Sequence, residues 1–220
     1  MKNVFISILS VCLISVLFFN SYAQSPYTSN GAGGGTWTDD NTWSGTGIPV
    51  AGDVVTIVNG DLVDIGAGNA ACYTLTLDGD LNDGGSGATL TVGAGGITFN
   101  ATASFSSIIT ITTSGNLTLN SCAIGTNTQA IFLTGAGTTI SGTGLISVLD
   151  FQINSTITNT GTLTAAYSLR GTGTLTNGAG ATLNFKGSGN ILCSLDASPA
   201  GNTVNYNGLV NQNIKTPTSS

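Results

Sequence analysis

From Val54 onward, short runs alternate an apolar residue with Thr and then stop at Gly, Asn or Ser. The runs include Val54–Val58 (VVTIV), Tyr73–Leu77 (YTLTL), Ala88–Val92 (ATLTV) and Gly96–Phe99 (GITF). Later come Asn116–Asn120 (NLTLN), Gly144–Val148 (GLISV), Gly161–Ala165 (GTLTA) and Gly173–Asn177 (GTLTN). A period of two places Leu, Ile and Val on one face of a strand and Thr on the other. Outside the first 23 residues no window carries a helical stripe. Some segments are near copies, such as GSGATLTV at Gly85 and GAGATLNF at Gly178. The repeat is degenerate rather than a strict array.

Short alternating strands are compatible with a sandwich, a barrel or a solenoid. Internal similarity, a scarcity of hairpin dipeptides and Thr/Asn positions suited to stacked ladders favour a parallel β-helix, that is, a β-solenoid. The energetics agree. Ordering a residue costs about 1–2 kcal/mol of backbone entropy, and burying a Leu or Ile contributes about 1.5–3 kcal/mol. A coil of about 20 residues therefore cannot stand alone and must stack on its neighbours. The first coil would expose an apolar end and unpaired strand groups. Residues 24–52 lie where a cap belongs, with coils expected over 53–220. Trp37 and Trp43, the chain's two tryptophans, fall in this segment beside Asp39 and Asp40. They are read first as a lid, with stacking on a sugar as the alternative.

Composition narrows the function. Only 6% of residues are charged, His is absent, and every acid is Asp. Residues 1–23 read as a secretory signal peptide: Lys2, an apolar core, then Ser21-Tyr22-Ala23 before Gln24. The core is shorter than the roughly 20 residues of a membrane span, so no membrane insertion is expected after cleavage. The remaining chain sets three cations (Arg170, Lys186, Lys215) against ten aspartates. That balance cannot build the basic patch a nucleic-acid partner requires. Cys72, Cys122 and Cys193 sit in apolar runs and read as buried thiols. Without His or a CxxC spacing, no zinc cofactor is expected.

Three sets of residues carry candidate chemistry. Asp78, Asp80, Asn82 and Asp83 cluster in DGDLNDGG. Clustered oxygens on a Gly-rich loop could serve calcium, but the spacing misses the EF-hand pattern, and a polar turn is the preferred reading. Asp150, Arg170 and Asp196 are spaced at about one coil and could stack on one side, as acid–base catalysis on a polysaccharide would need. A structural role is preferred for them too. Ice binding would need T-x-T strands at constant coil spacing, and Leu75, Leu90, Leu117 and Leu163 mark strands too irregularly spaced for it.

The stretch GTWTDDNTWSGTGIPVAGDVVTIVNGDLVDI, followed by ACYTLTLDGD, resembles the start of large secreted β-helical surface proteins of Bacteroidetes-type bacteria. A W-x(n)-W segment precedes P-x-x-x-D-x-V-x-I, matched by Pro49, Asp53, Val55 and Ile57. GNTVNYNGLVNQNIKTP is similar to that family's recurrent strand, matched by Thr203, Val204, Tyr206, Gly208, Gln212 and Ile214. The resemblance implies a right-handed helix, export often completed by type IX secretion, and an adhesin-like protein of the outer cell surface. No sorting domain is visible before Ser220, so an N-terminal fragment whose coils continue is expected. The expected function is non-catalytic: a structural, adhesin-like module whose partners are extracellular polysaccharide or other cell-surface components. The alternative is a β-helical polysaccharide lyase, glycoside hydrolase or glycan-binding module.

Overall fold

The computed structural model describes residues 24–105, 108–126, 128–188 and 190–217. The signal-peptide expectation lies outside these residues. The chain forms a parallel β-solenoid of about seven turns. Among the described residues, nineteen strands and one 3-10 turn, Asp40–Thr42, make up the regular structure, with no α-helix.

The period-two pattern produces this stacking. Tyr27, Val55, Leu75, Ile97, Leu117 and Ile140 occupy one register position on successive rungs, and all are buried. Their outward neighbours one residue later are Thr28, Thr56, Thr76, Thr98, Thr118 and Ser141, again rung on rung. A second ladder runs through Leu90, Ile111, Ile131 and Phe151, and a third through Leu163, Leu183 and Val204. Loops of unequal length absorb the irregular sequence spacing, so like side chains meet although their separations differ. The resulting core is continuous from Tyr27 to Leu195. Each rung buries its aliphatics only because the next rung covers them.

Corners within long strands are made by register breaks. In Leu117–Ile124 the pairing shifts between Asn120 and Cys122. Ser121, between them, adopts φ 55°, a conformation that costs a residue with a Cβ about 1 kcal/mol or more. The break sends Leu119 and Cys122 inward on two different ladders.

Strand pairing reaches back ahead of Asp53. Pro26–Thr28 pairs with Val54–Ile57, and Gly34–Thr36 pairs with Leu62–Asp64. The free edge of Pro26–Thr28 is then met by the chain at 42–44. Ser44 N–H donates to Thr28 O at 2.8 Å, Asn30 N–H donates to Thr42 O at 3.0 Å, and Ser29 bridges Trp43 antiparallel. At the opposite end, Thr203–Tyr206 pairs, among the described residues, only with Thr182–Phe185, and Val204 and Tyr206 remain half-buried.

Candidate functional site

The acidic side chains serve mainly as anchors for their own backbone. Asp83 is fully buried. Its Oδ1 accepts from Gly85 N–H at 2.9 Å, and its Oδ2 accepts from Gly87 at 2.7 Å and Ala88 at 3.1 Å. Asp61, also buried, accepts from Gly31 and Gly33 N–H, both at 2.9 Å, and so ties the first rung to the second. Burial alone would raise the pKa of Asp61; bonds from the Ser29 hydroxyl and the two glycine N–H groups outweigh it and leave the carboxyl below its ordinary value. Asp53 receives Ser25 N–H at 3.2 Å and Val50 N–H at 2.8 Å.

The rest of DGDLNDGG follows the strand alternation of Asp80–Asn82, in which Leu81 is buried and its neighbours face outward. Asp78 accepts from Thr102 Oγ1 at 2.6 Å, and Asp80 accepts from Ser104 Oγ at 2.9 Å. Asn82 Oδ1 accepts the N–H groups of Asp83 and Gly84. These contacts run to the following rung or to the loop's own backbone. Among the described residues no three His, Cys, Asp or Glu side chains form a group able to hold a metal ion.

Of the Asp150, Arg170 and Asp196 set, the fold brings two together. Arg170 Nε donates to Asp150 Oδ1 at 2.5 Å across adjacent rungs, and Gln152 Nε2 donates to Asp150 Oδ2 at 2.7 Å. Asp196 lies on another ladder, above Thr176, and binds Ser198 N–H. That backbone bond is the main cause of its lowered pKa.

Trp37 and Trp43 are 2% and 4% exposed, which leaves neither ring free to stack on a sugar. Their rings meet edge-on with centroids 5.2 Å apart. Trp43 Nε1 donates to Trp37 O at 3.0 Å, and Trp37 Nε1 donates to Pro49 O at 3.3 Å. Burial pushes the Cys72 thiol up to about 12 and the Cys122 and Cys193 thiols up to about 11, so none is a ready nucleophile or metal ligand at neutral pH. All three are free thiols.

No family model, curated protein or solved structure matches the chain.

A groove lies away from all these residues, at the corner that follows three stacked strands. Ala165, Phe185 and Tyr206 share a register position, and the next residues up the chain line a groove of about 540 Å³ with Tyr167, Ser188, Leu209 and Val210. Lys186 is its one charged residue. In the sequence this groove is barely marked. Its only signal is a lone cation directly after an apolar strand, in NFKGSG. Asp61 is as little marked, because nothing local shows that a turn residue will reach back to Gly31.

Proposed function

We propose that the chain is a non-catalytic structural and adhesive module of a secreted surface protein, exported by its first 23 residues and displayed outside the cell. The observation that carries this reading is the use of its carboxylates: Asp53, Asp61 and Asp83 are committed to backbone N–H groups of the same or the preceding rung. A glycosidase needs two carboxyl groups flanking one bond, and these are occupied. The long outward columns of Thr, such as Thr56 to Thr118, suit a stiff spacer that holds loops away from a surface. On this reading the segment 36–43, TWTDDNTW, acts as the lid of the first rung. Type IX secretion and membership of the adhesin-like group rest on the sequence resemblance alone.

A second reading has one observation in its favour. Asp150 and Arg170 lie side by side on an outward sheet position, as a β-helical lyase or hydrolase would place a carboxylate and a base. A degradation screen against acidic and neutral polysaccharides separates the two. The structural reading expects no reducing ends or unsaturated products. Turnover by the wild type that disappears in Arg170→Met would overturn it.

A further inference from the structure

We infer that the groove lined by Tyr167, Lys186, Ser188 and Asn207 binds an acidic sugar, a hexuronate unit of an extracellular polysaccharide. The inference rests on the adhesive half of the function proposed above and gives it a site and a ligand class.

The groove is built by stacking. Lys186 N–H donates to Ala165 O at 2.9 Å, and Asn207 N–H donates to Phe185 O at 3.1 Å, so three successive rungs supply its floor. Gly187 sits opposite Tyr167; a Cβ there would lie 1.9 Å from Tyr167 O. Glycine lets the rungs close together and keeps the floor free of side chains. The volume of about 540 Å³ falls within the roughly 300–1,000 Å³ of small-ligand sites. Tyr167, 45% exposed, presents an apolar ring with a polar tip, and Leu209 and Val210 supply an apolar wall. One apolar wall with polar groups beside it suits a sugar ring, which is apolar on its faces and polar at its rim.

Charge selects the kind of sugar. Lys186 is exposed and makes no ion pair with any Asp among the described residues, where the one ion pair joins Arg170 to Asp150. No Asp lines the groove. Eight of the ten aspartates fall between Asp39 and Asp83, several rungs away. At about 4.8 Å per rung, their field is largely screened over the roughly 8 Å Debye length of physiological salt. An unpaired cation in an acid-free groove, on an otherwise acidic chain, is complementary to a carboxylate. Ser188 and Asn207 add hydroxyl and carboxamide groups for ring hydroxyls.

The test is calorimetric titration of the chain from Gln24 with tetragalacturonate, with maltotetraose and sodium sulfate as comparators. Tetragalacturonate should bind and maltotetraose should bind far more weakly. Lys186→Met should weaken tetragalacturonate about tenfold or more, and Tyr167→Ala should weaken it while sparing the melting temperature. Equal binding of the neutral tetramer, or displacement by sulfate at equal concentration, would overturn the assignment. Binding of tetragalacturonate unchanged in both variants would sink this site yet leave the adhesive reading standing. A wild type that binds no polysaccharide on a broad glycan array would remove both.

Discussion

Asn159 donates from Nδ2 to Oδ1 of Asn177 at 2.8 Å inside the solenoid, where both residues are fully buried. Asn177 in turn donates to Asn202 Oδ1 at 3.1 Å and to Thr203 O at 2.9 Å. These residues continue the inward column that Ile140 occupies one rung earlier. A buried amide is tolerated only with its partners in place, and no buried side-chain N or O among the described residues lacks one. Asn177→Leu should therefore destabilise by about 2 kcal/mol, read from urea melts, because it removes the donor to Asn202 Oδ1 and Thr203 O and one acceptor of the Asn159 amide. Asn159→Leu combined with Asn177→Leu should cost less than the sum of the two single changes. Strict additivity would show that the ladder is not a coupled unit.

The Asp61 carboxylate predicts a specific acid response. Its folded pKa is depressed, so its contribution is present above the unfolded value of about 3.9 and is lost as pH falls through the lower folded value. Below that value the wild type should approach the stability of Asp61→Asn. At pH 7 the variant should melt about 2–4 °C lower, because an amide cannot accept from both Gly31 and Gly33. Thermal melts at pH 7 and pH 2 measure this, and a gap of equal size at both would exclude the carboxylate charge as the cause.

Calcium should not find a site at DGDLNDGG. Both oxygens of Asp83 already accept backbone N–H groups, and Asp78 and Asp80 bind hydroxyls of the following rung. Calorimetry with millimolar calcium should show no binding heat, and the melting temperature should not rise on addition. A saturable heat that Asp83→Asn abolishes would restore the metal reading.

The three thiols should be silent in the folded chain. Cys72, Cys122 and Cys193 are buried, and each is held well above the ordinary cysteine value. Iodoacetamide at pH 8 should label none under native conditions and all three in guanidinium, read by mass spectrometry. Rapid native labelling of one would locate a rung that opens on its own.

The architecture was legible in the sequence because alternation is local: a strand such as YTLTL states its own inward face. Three things were less legible, for physical reasons. Register depends on loops that hide or add residues, so the column Thr56, Thr76, Thr98 and Thr118 could not be read from Leu spacing. The pairing of Pro26–Thr28 beneath Val54–Ile57 depends on contacts across nearly thirty residues, and Pro26-Tyr-Thr has no alternation long enough to announce a strand. The fates of Asp61 and Asp83 turn on which N–H groups the fold leaves unpaired, a long-range outcome. For the neighbouring acids of DGDLNDGG, calcium stayed open beside the preferred polar turn because sequence shows proximity and not direction.

The proposed lid at the first rung can be tested by removing it. Pro26–Thr28 would present an open strand edge if the chain at 42–44 did not meet it, and open edges recruit other chains. Trp43 contributes both the antiparallel bridge to Ser29 and a ring packed edge-on against Trp37 and Tyr27, with centroids 5.2 and 6.4 Å away. Trp43→Ala should cost about 3–5 kcal/mol and shift tryptophan emission to the red as Trp37 gains water. Deleting 31–47 removes the covering chain and the Gly34–Thr36 strand together and should give a concentration-dependent aggregate by light scattering. Trp43→Ala separates the lid from that strand, because it leaves the pairing with Leu62–Asp64 available. A deletion variant that stays monomeric and folded, with Trp43→Ala as stable as the wild type, would show that the first rung needs no cover. A loss of polysaccharide binding in that soluble variant would return the aromatic segment to the role of a recognition site.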